Sequence, residues 1–129
     1  MANQLILIIE DNEKNRKLCR DVLQVKGYRT IESETAVDGL TLVAEKAPAL
    51  ILMDIQLPGM DGITAMKSLK ADPKTRRIPV IAITASAMTN NRQAMLAEGF
   101  DGYQTKPISL KDFLAEVQRM LVAGGSSEE

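Results

Sequence analysis

The 129-residue sequence contains no histidine, and this absence excludes several kinds of site. Without histidine the chain cannot form a Ser-His-Asp triad or a zinc site that uses imidazole, and it cannot itself carry a phosphohistidine. It has one cysteine, Cys19, which excludes an internal disulfide and any site that needs several thiolates. A single cysteine is consistent with a reducing compartment, and we expect a cytoplasmic protein.

The sequence also lacks an excess of positive charge and a long apolar run. Its 16 basic and 17 acidic side chains give a net charge of −1, which does not favour binding to nucleic acid or to an anionic membrane surface. No stretch approaches the roughly 20 apolar residues that span a membrane, so we expect no membrane insertion. The apolar run at 5–9 is too short for a signal peptide, and Glu10 and Asp11 follow it directly.

Short apolar runs alternate with amphipathic segments along the chain. Runs without polar residues are typical of strands buried on both faces, and helices between such strands imply parallel pairing. The pattern therefore predicts one α/β domain with a five-stranded parallel sheet and helices on both faces. We expect this domain to cover residues 1–123, followed by a disordered tail at 124–129. The predicted strands are 5–9, 28–33, 50–54, 79–84 and 102–105, and the predicted helices are 12–26, 35–46, 60–71, 89–98 and one that begins at 109.

Polar side chains lie where the predicted strands end. Glu10 and Asp11 follow the first apolar run, and Asp54 and Thr84 are the last residues of the third and fourth. Lys106 comes directly after the fifth. Because the carboxyl ends of parallel strands meet at one edge of the sheet, we expect these five side chains to lie close together there.

Three carboxylates brought together repel one another and need positive charge nearby. Mg²⁺ prefers oxygen ligands and would supply that charge, and Lys106 adds a second cation. This combination can receive a phosphoryl group, and the central carboxylate, Asp54, is placed to act as the nucleophile that forms an acyl phosphate. The sequence therefore predicts a magnesium-dependent phosphoryl-transfer site.

Four segments carry a resemblance to a known family: 8–12 (IIEDN), 51–62 (ILMDIQLPGMDG), 83–85 (ITA) and 103–108 (YQTKPI). Through them the chain resembles the receiver domain of two-component response regulators, over about residues 4–122. The resemblance implies a flavodoxin-like (βα)5 three-layer sandwich with the strand order 2-1-3-4-5, an order that spacing alone does not give. It also implies a receiver that stands alone, without an output domain.

The resemblance implies a role for each residue at the predicted edge. Asp54 would be the phosphoacceptor. Asp11, Asp54 and the backbone carbonyl of Gln56 would bind Mg²⁺ directly, while Glu10 would act through a metal-bound water. Mn²⁺ is expected to be able to replace Mg²⁺. Lys106 would pair with the phosphoryl oxygens.

Further residues would respond to the phosphoryl group. By the same resemblance, Thr84 would move to donate a hydrogen bond to a phosphoryl oxygen, and the small Ala85 would leave a path to the site. Tyr103 would be the aromatic switch that turns inward when Thr84 moves. The peptide bond before Pro107 is expected to be cis.

We also have expectations for three more residues near the site, Gln56, Ser86 and Gly62. Gln56 and Ser86 would flank the phosphoacceptor at positions that tune the lifetime of the acyl phosphate. Gly62 would suit a turn that needs a positive φ.

As a response regulator, the chain would take its phosphoryl group from a phosphohistidine on another protein. The donor would be a sensor histidine kinase or a histidine phosphotransfer protein that contacts helix 1 near Asn15, Lys17 and Leu18. The face formed by helix 4, strand 5 and helix 5 would contact a downstream protein. We do not expect an enzyme: at most the chain would phosphorylate itself from small donors and slowly remove its own phosphoryl group.

Four other interpretations compete with this one. A haloacid dehalogenase-type phosphatase needs a second acid two residues after the nucleophile, where this chain has Gln56. A flavodoxin-like cofactor-binding protein is disfavoured because the loop at 10–13 (EDNE) lacks the glycines and hydroxyls that hold a phosphate. A degenerate receiver that works without phosphorylation is disfavoured because the five site residues are all present. A receiver cut from a hybrid histidine kinase or a larger regulator is the remaining alternative.

Overall fold

The computed structural model describes residues 3–125. Five strands and five helices alternate along this part of the chain. None of the helices described is long and apolar enough to span a membrane. The strands are β1 (Leu5–Ile9), β2 (Arg29–Ser33), β3 (Leu50–Asp54), β4 (Val80–Thr84) and β5 (Gly102–Thr105), and the helices are α1 (Glu13–Val25), α2 (Ala36–Lys46), α3 (Gly62–Ala71), α4 (Arg92–Glu98) and α5 (Leu110–Gly125).

The five strands form one parallel sheet in the order β2-β1-β3-β4-β5. Successive side chains of a strand point to opposite faces of the sheet, so an apolar strand supplies both faces at once. In β1, Ile6 and Ile8 pack with α1 and α5, whereas Leu7 and Ile9 pack with α2, α3 and α4. The flavodoxin-like three-layer sandwich and its strand order are therefore confirmed.

Helices α3 and α4 begin two and three residues later than the sequence pattern predicted, and the residue directly before each of them is its cap. Asn91 caps α4, and its side chain accepts a hydrogen bond from the Ala94 N–H at 2.8 Å. Asp61 caps α3 in the same way, through the Thr64 N–H at 2.7 Å. A side-chain oxygen at the N-cap satisfies a backbone donor that has no partner inside the helix. Residues 89–91 and 60–61, predicted as helical, therefore precede these helices.

Segment ends also differ from prediction where the backbone closes a turn. Tyr28 was predicted in the second strand, but its N–H donates to the carbonyl of Leu23 in α1, so β2 begins at Arg29. After α2, Ala47 takes the left-handed conformation with φ of 47°. Helix α5 extends to Gly125, two residues beyond the predicted domain boundary at 123. The rest of the predicted tail, 126–129, lies outside the described residues.

Gly62 is required for a reason other than the predicted one. The positive φ of this loop belongs to Gly59, at 77°, while Gly62 is the first residue of α3. A Cβ on Gly62 would collide with the backbone carbonyl oxygen of Asp54 and lie 3.0 Å from the Cα of Ile55. Glycine is needed here because helix α3 begins against the end of β3.

Cys19 offers a test of the packing of α1 on the sheet. Its side chain is buried, and burial raises the pKa of the thiol to about 12. Because the thiolate is the reactive form, we expect iodoacetamide near neutral pH to leave the folded chain unmodified and to alkylate Cys19 in denaturant. Intact mass spectrometry distinguishes the two results. Equal alkylation rates in the folded and unfolded chain would contradict the packing described here.

Gly62→Ala tests the close approach of α3 to the end of β3. We expect it to lower the free energy of unfolding by about 1–3 kcal/mol, because the added methyl group forces the backbone of β3 and α3 apart. Urea unfolding measures the change. Ser68→Ala, at an exposed position of the same helix, is the matched control and should change stability by less than about 0.5 kcal/mol. A Gly62→Ala variant as stable as Ser68→Ala would show that β3 and α3 separate at no cost.

Candidate functional site

Two carboxylates meet at the ends of neighbouring strands. Ile9 of β1 is paired with Met53 of β3, so the next residues, Glu10 and Asp54, lie side by side where these strands end. Both side chains are buried, each with 3% of its surface exposed. The polar strand ends that the sequence predicted to converge are therefore adjacent in the sheet.

Asp11 completes an acidic cluster with these two residues. Carboxylate oxygens of Glu10, Asp11 and Asp54 all lie within 4.8 Å of one another. Asp11 is exposed, so the cluster is open to solvent on one side. Several hard oxygen donors at such separations, with one side open to water, are the kind of site that Mg²⁺ occupies in proteins. The residues present therefore fit the cation that the sequence predicted.

The ammonium group of Lys106 balances part of the negative charge. Its Nζ lies 2.9 Å from Oδ2 of Asp54 and 3.0 Å from Oε1 of Glu10. Lys106 directly follows β5, and its backbone N–H donates to the carbonyl of Thr84 at 2.8 Å. This backbone contact places the lysine beside β4, from which its side chain reaches β3 and β1.

The surroundings of the cluster raise the pKa values of both Glu10 and Lys106. Burial, together with the neighbouring Asp54, raises the pKa of Glu10 to about 7, although Lys106 opposes the shift. Burial alone would lower the pKa of Lys106, but its hydrogen bonds to Asp54 and Glu10 outweigh burial and raise that pKa. One lysine thus leaves an excess of negative charge, and a further cation would be stabilised at this position.

Backbone groups orient the two buried carboxylates. The N–H of Gln56 donates to Oδ1 of Asp54 at 3.0 Å, and the N–H of Asn12 donates to Oε2 of Glu10 at 3.1 Å. Arg16, which the sequence analysis did not single out, donates to the backbone carbonyl of Glu10 at 2.8 Å and pairs with Glu32 at 3.0 Å. The sequence signal that could have identified Arg16 is a basic residue in the first turn of α1, shortly after the acidic segment 10–13.

The predicted phosphoryl-responsive residues surround Asp54 on the β4 side. Thr84 is fully buried, and its hydroxyl oxygen accepts a hydrogen bond from the N–H of Ser86 at 3.0 Å. Ala85 is exposed beside it. The side-chain amide of Gln56 donates to the hydroxyl of Ser86 at 3.3 Å. The two residues predicted to flank the site are therefore in contact with each other.

Tyr103 is turned inward in this structure. Only 6% of its surface is exposed, and its hydroxyl donates to the backbone carbonyl of Asn90 at 2.6 Å. Burial raises the pKa of the Tyr103 hydroxyl, although Arg92 opposes the shift. The inward position is one of the two that an aromatic switch would require. The Lys106–Pro107 peptide bond is cis.

The predicted partner surface on α1 lies beside the acidic cluster. Lys17 and Leu18 are exposed, and Asn15 is half-buried. Asn15 also donates its backbone N–H to the side chain of Asn12 at 3.0 Å, so it belongs to the first turn of the helix. Asn12 in turn donates its backbone N–H to Glu10, so Asn15 lies at the end of α1 that adjoins the acidic cluster.

Comparison with known proteins identifies the family. A model of the response regulator receiver domain matches residues 6–118. The polar-differentiation response regulator DivK of Brucella ovis is 43% identical over 116 residues, which cover 90% of this chain and 94% of DivK.

Solved structures agree with this assignment. The receiver domain of a sensor histidine kinase from Pseudomonas aeruginosa, with a magnesium ion coordinated in its active site cleft, is 32% identical, has a TM-score of 0.85, and covers 93% of this chain and 98% of its own. The receiver domain of a signal transduction histidine kinase from Syntrophus aciditrophicus is 29% identical, also with a TM-score of 0.85, and covers 93% of this chain and 91% of its own. The chain belongs to the response regulator receiver domain family.

Proposed function

We propose that this chain is a single-domain response regulator that accepts a phosphoryl group on Asp54 from a phosphohistidine donor, in a reaction that depends on Mg²⁺. The observation that carries this proposal is the position of the Asp54 carboxylate. It is buried at a strand end, within 4.8 Å of two other carboxylates and in an ion pair with Lys106. A structural aspartate gains nothing from two acidic neighbours, whereas a phosphoacceptor needs their ability to bind a cation.

In the transfer step, an oxygen of the Asp54 carboxylate forms a bond to phosphorus. The bond between phosphorus and the imidazole nitrogen of the donor breaks, and its electron pair stays with the departing imidazole. The Gln56 N–H holds the Asp54 carboxylate at 3.0 Å and keeps its orientation during the approach. Lys106, which already contacts Asp54, pairs with the oxygens of the transferred group, where negative charge accumulates.

Glu10, Asp11 and Asp54, with the backbone carbonyl of Gln56, would hold the Mg²⁺ ion. When bound, this ion supplies positive charge that offsets the repulsion between the carboxylates and the incoming phosphoryl oxygens. Asp11 is the exposed member of the cluster, so the cluster is open to solvent on the side of Asp11. The chain itself is a phosphoacceptor rather than an enzyme, with self-phosphorylation from small donors and slow autodephosphorylation as its only turnover.

Histidine kinases or histidine phosphotransfer proteins are the proposed donors, bound beside α1. The proposed downstream partner is a protein that contacts the face formed by α4, β5 and α5. The similarity to DivK over 94% of the DivK chain supports a regulator that acts without an output domain. The similarity to receiver domains of two sensor histidine kinases supports the second candidate, a receiver that forms part of a hybrid kinase.

Magnesium is expected to stabilise the folded chain through the acidic cluster. A ligand that binds only the folded state at ten times its Kd adds about 1.4 kcal/mol to the free energy of unfolding. We expect urea unfolding to show this gain when Mg²⁺ replaces EDTA, and we expect Asp11→Asn to lose most of it. In EDTA, Asp11→Asn should be at least as stable as the unchanged chain, because it removes one of three mutually repelling carboxylates.

Glu45→Gln is the matched control for the magnesium experiment. It also removes one carboxylate, from an exposed position on α2, and should keep the full gain from Mg²⁺. An equal gain in Asp11→Asn and Glu45→Gln would rule out the acidic cluster as the magnesium site.

Acetyl phosphate tests the phosphoacceptor directly. With Mg²⁺ present, intact mass spectrometry should show one added phosphoryl group per chain, because a small acyl phosphate can replace the protein donor. EDTA should prevent the addition. Asp54→Asn should abolish it, since the amide is not a nucleophile, whereas Asp61→Asn, at the exposed cap of α3, should retain it. Addition to Asp54→Asn, or addition at full rate in EDTA, is incompatible with the proposal.

A further inference from the structure

A third buried carboxylate lies on the opposite side of β5 from the acidic cluster. Glu116 of α5 has 6% of its surface exposed, and its Oε2 accepts a hydrogen bond from the backbone N–H of Tyr103 at 3.0 Å. Its other oxygen accepts from Arg119, and Arg92 of α4 lies 4.0 Å away. A buried carboxylate is stable only when it is paired and hydrogen-bonded, and the two hydrogen bonds and the longer ion pair with Arg92 provide that.

Gly102 makes room for this carboxylate. A Cβ at Gly102 would collide with an Oε atom of Glu116. Because β5 is an edge strand, the Tyr103 N–H and carbonyl on its open side have no neighbouring strand as partner. Glu116 satisfies the N–H, and Arg92 donates to the carbonyl at 3.3 Å. Side chains from α4 and α5 thus bind the two backbone groups of Tyr103 that a sixth strand would otherwise pair with.

Arg92 also contacts the aromatic ring of Tyr103. Its guanidinium carbon lies 5.4 Å from the ring centroid, within the range of a cation–π interaction. The Tyr103 hydroxyl is held by Asn90, two residues before Arg92. The ring and backbone of Tyr103 are therefore held from α4 and α5, and its hydroxyl is held from the loop that precedes α4.

We propose that Arg92 and Glu116 are positioning residues that hold the Tyr103 ring inward before any phosphoryl group is present. We call this pair the Tyr103 clamp. The inference rests on the proposed function for its consequence: Tyr103 lies on β5, Lys106 directly follows that strand, and Lys106 contacts Asp54. By fixing the backbone of β5, the clamp keeps the Lys106 ammonium at the phosphoacceptor.

Exposure of the Tyr103 ring to a soluble paramagnetic probe tests the clamp without any phosphodonor. The chain has two tyrosines, so ¹³C-labelled tyrosine gives two sets of ring signals, with Tyr28 as internal reference. In the unchanged chain the Tyr103 signals should be protected. In Arg92→Ala we expect the ratio of inward to outward ring to fall about ten-fold, from the loss of one cation–π contact and one hydrogen bond, and the signals to broaden.

Arg119→Ala is the matched control. Both arginine side chains are more than half exposed and both pair with Glu116, Arg119 more closely than Arg92, but of the two it is Arg92 that binds the ring and carbonyl of Tyr103. Arg119→Ala should leave the ring protected. Arg92→Lys keeps a cation and should restore part of the protection. A protected ring in Arg92→Ala overturns the proposal, as does equal broadening in Arg92→Ala and Arg119→Ala.

Glu116→Gln separates the hydrogen bond to Tyr103 from the charge. The amide oxygen can still accept from the Tyr103 N–H, so the fold should survive, while attraction for Arg92 is lost and the ring should become more exposed. Circular dichroism verifies folding in each variant.

The rate of phosphorylation by acetyl phosphate should fall several-fold in Arg92→Ala and stay unchanged in Arg119→Ala. If neither the unchanged chain nor any variant is phosphorylated, but the ring is exposed only in Arg92→Ala and Glu116→Gln, the proposed function is refuted and the inference about the Tyr103 clamp still stands.

Discussion

The balance of charge among three neighbouring carboxylates governs the site and much of the structure around it. Glu10 and Asp54 are buried at adjacent strand ends, Asp11 lies beside them, and Lys106 pairs with both buried groups. One ammonium does not neutralise three carboxylates, and burial, together with the neighbouring Asp54, raises the pKa of Glu10. A fold selected only for stability would avoid this arrangement, because each uncompensated buried charge is costly. Its retention at a solvent-accessible edge is what gives the proposed phosphoacceptor its physical basis.

The parallel sheet makes such crowding possible. In a parallel sheet every strand ends at the same edge, and the order β2-β1-β3-β4-β5 places Glu10, Asp54, Thr84 and Lys106 in succession along four neighbouring strands. The apolar strands beneath them pack on helices at both faces, so the backbone that carries the acids is covered on both sides. Gly62 lets α3 begin against the end of β3, next to the backbone of Asp54.

The sequence was enough to predict the sheet and its polar edge, because apolar runs and the polar residues after them are local features. It was not enough for strand order, which came from the family resemblance, or for contacts between distant segments. Glu116 shows why: it lies three residues after Phe113 and four before Met120, on the buried face of α5, yet its partner is a backbone N–H on β5. Gly62 was recognised as special, but the reason is proximity to Asp54 rather than a positive φ, and proximity is visible only in three dimensions.

Strand β5 lies between the acidic cluster and the charged groups around Glu116. At one end Lys106 faces the acidic cluster, and three residues earlier Tyr103 is held by Arg92 and Glu116. An edge strand has a partner on one side only, so its position depends on side chains more than that of a central strand does. A change in charge at Asp54 alters the electrostatic attraction that acts on Lys106. A contact that draws Arg92 away from Tyr103 alters the interactions at the other end of β5. Because both act on β5 or on the residue that directly follows it, the clamp gives the face formed by α4, β5 and α5 a physical route by which it can respond to the proposed phosphoacceptor.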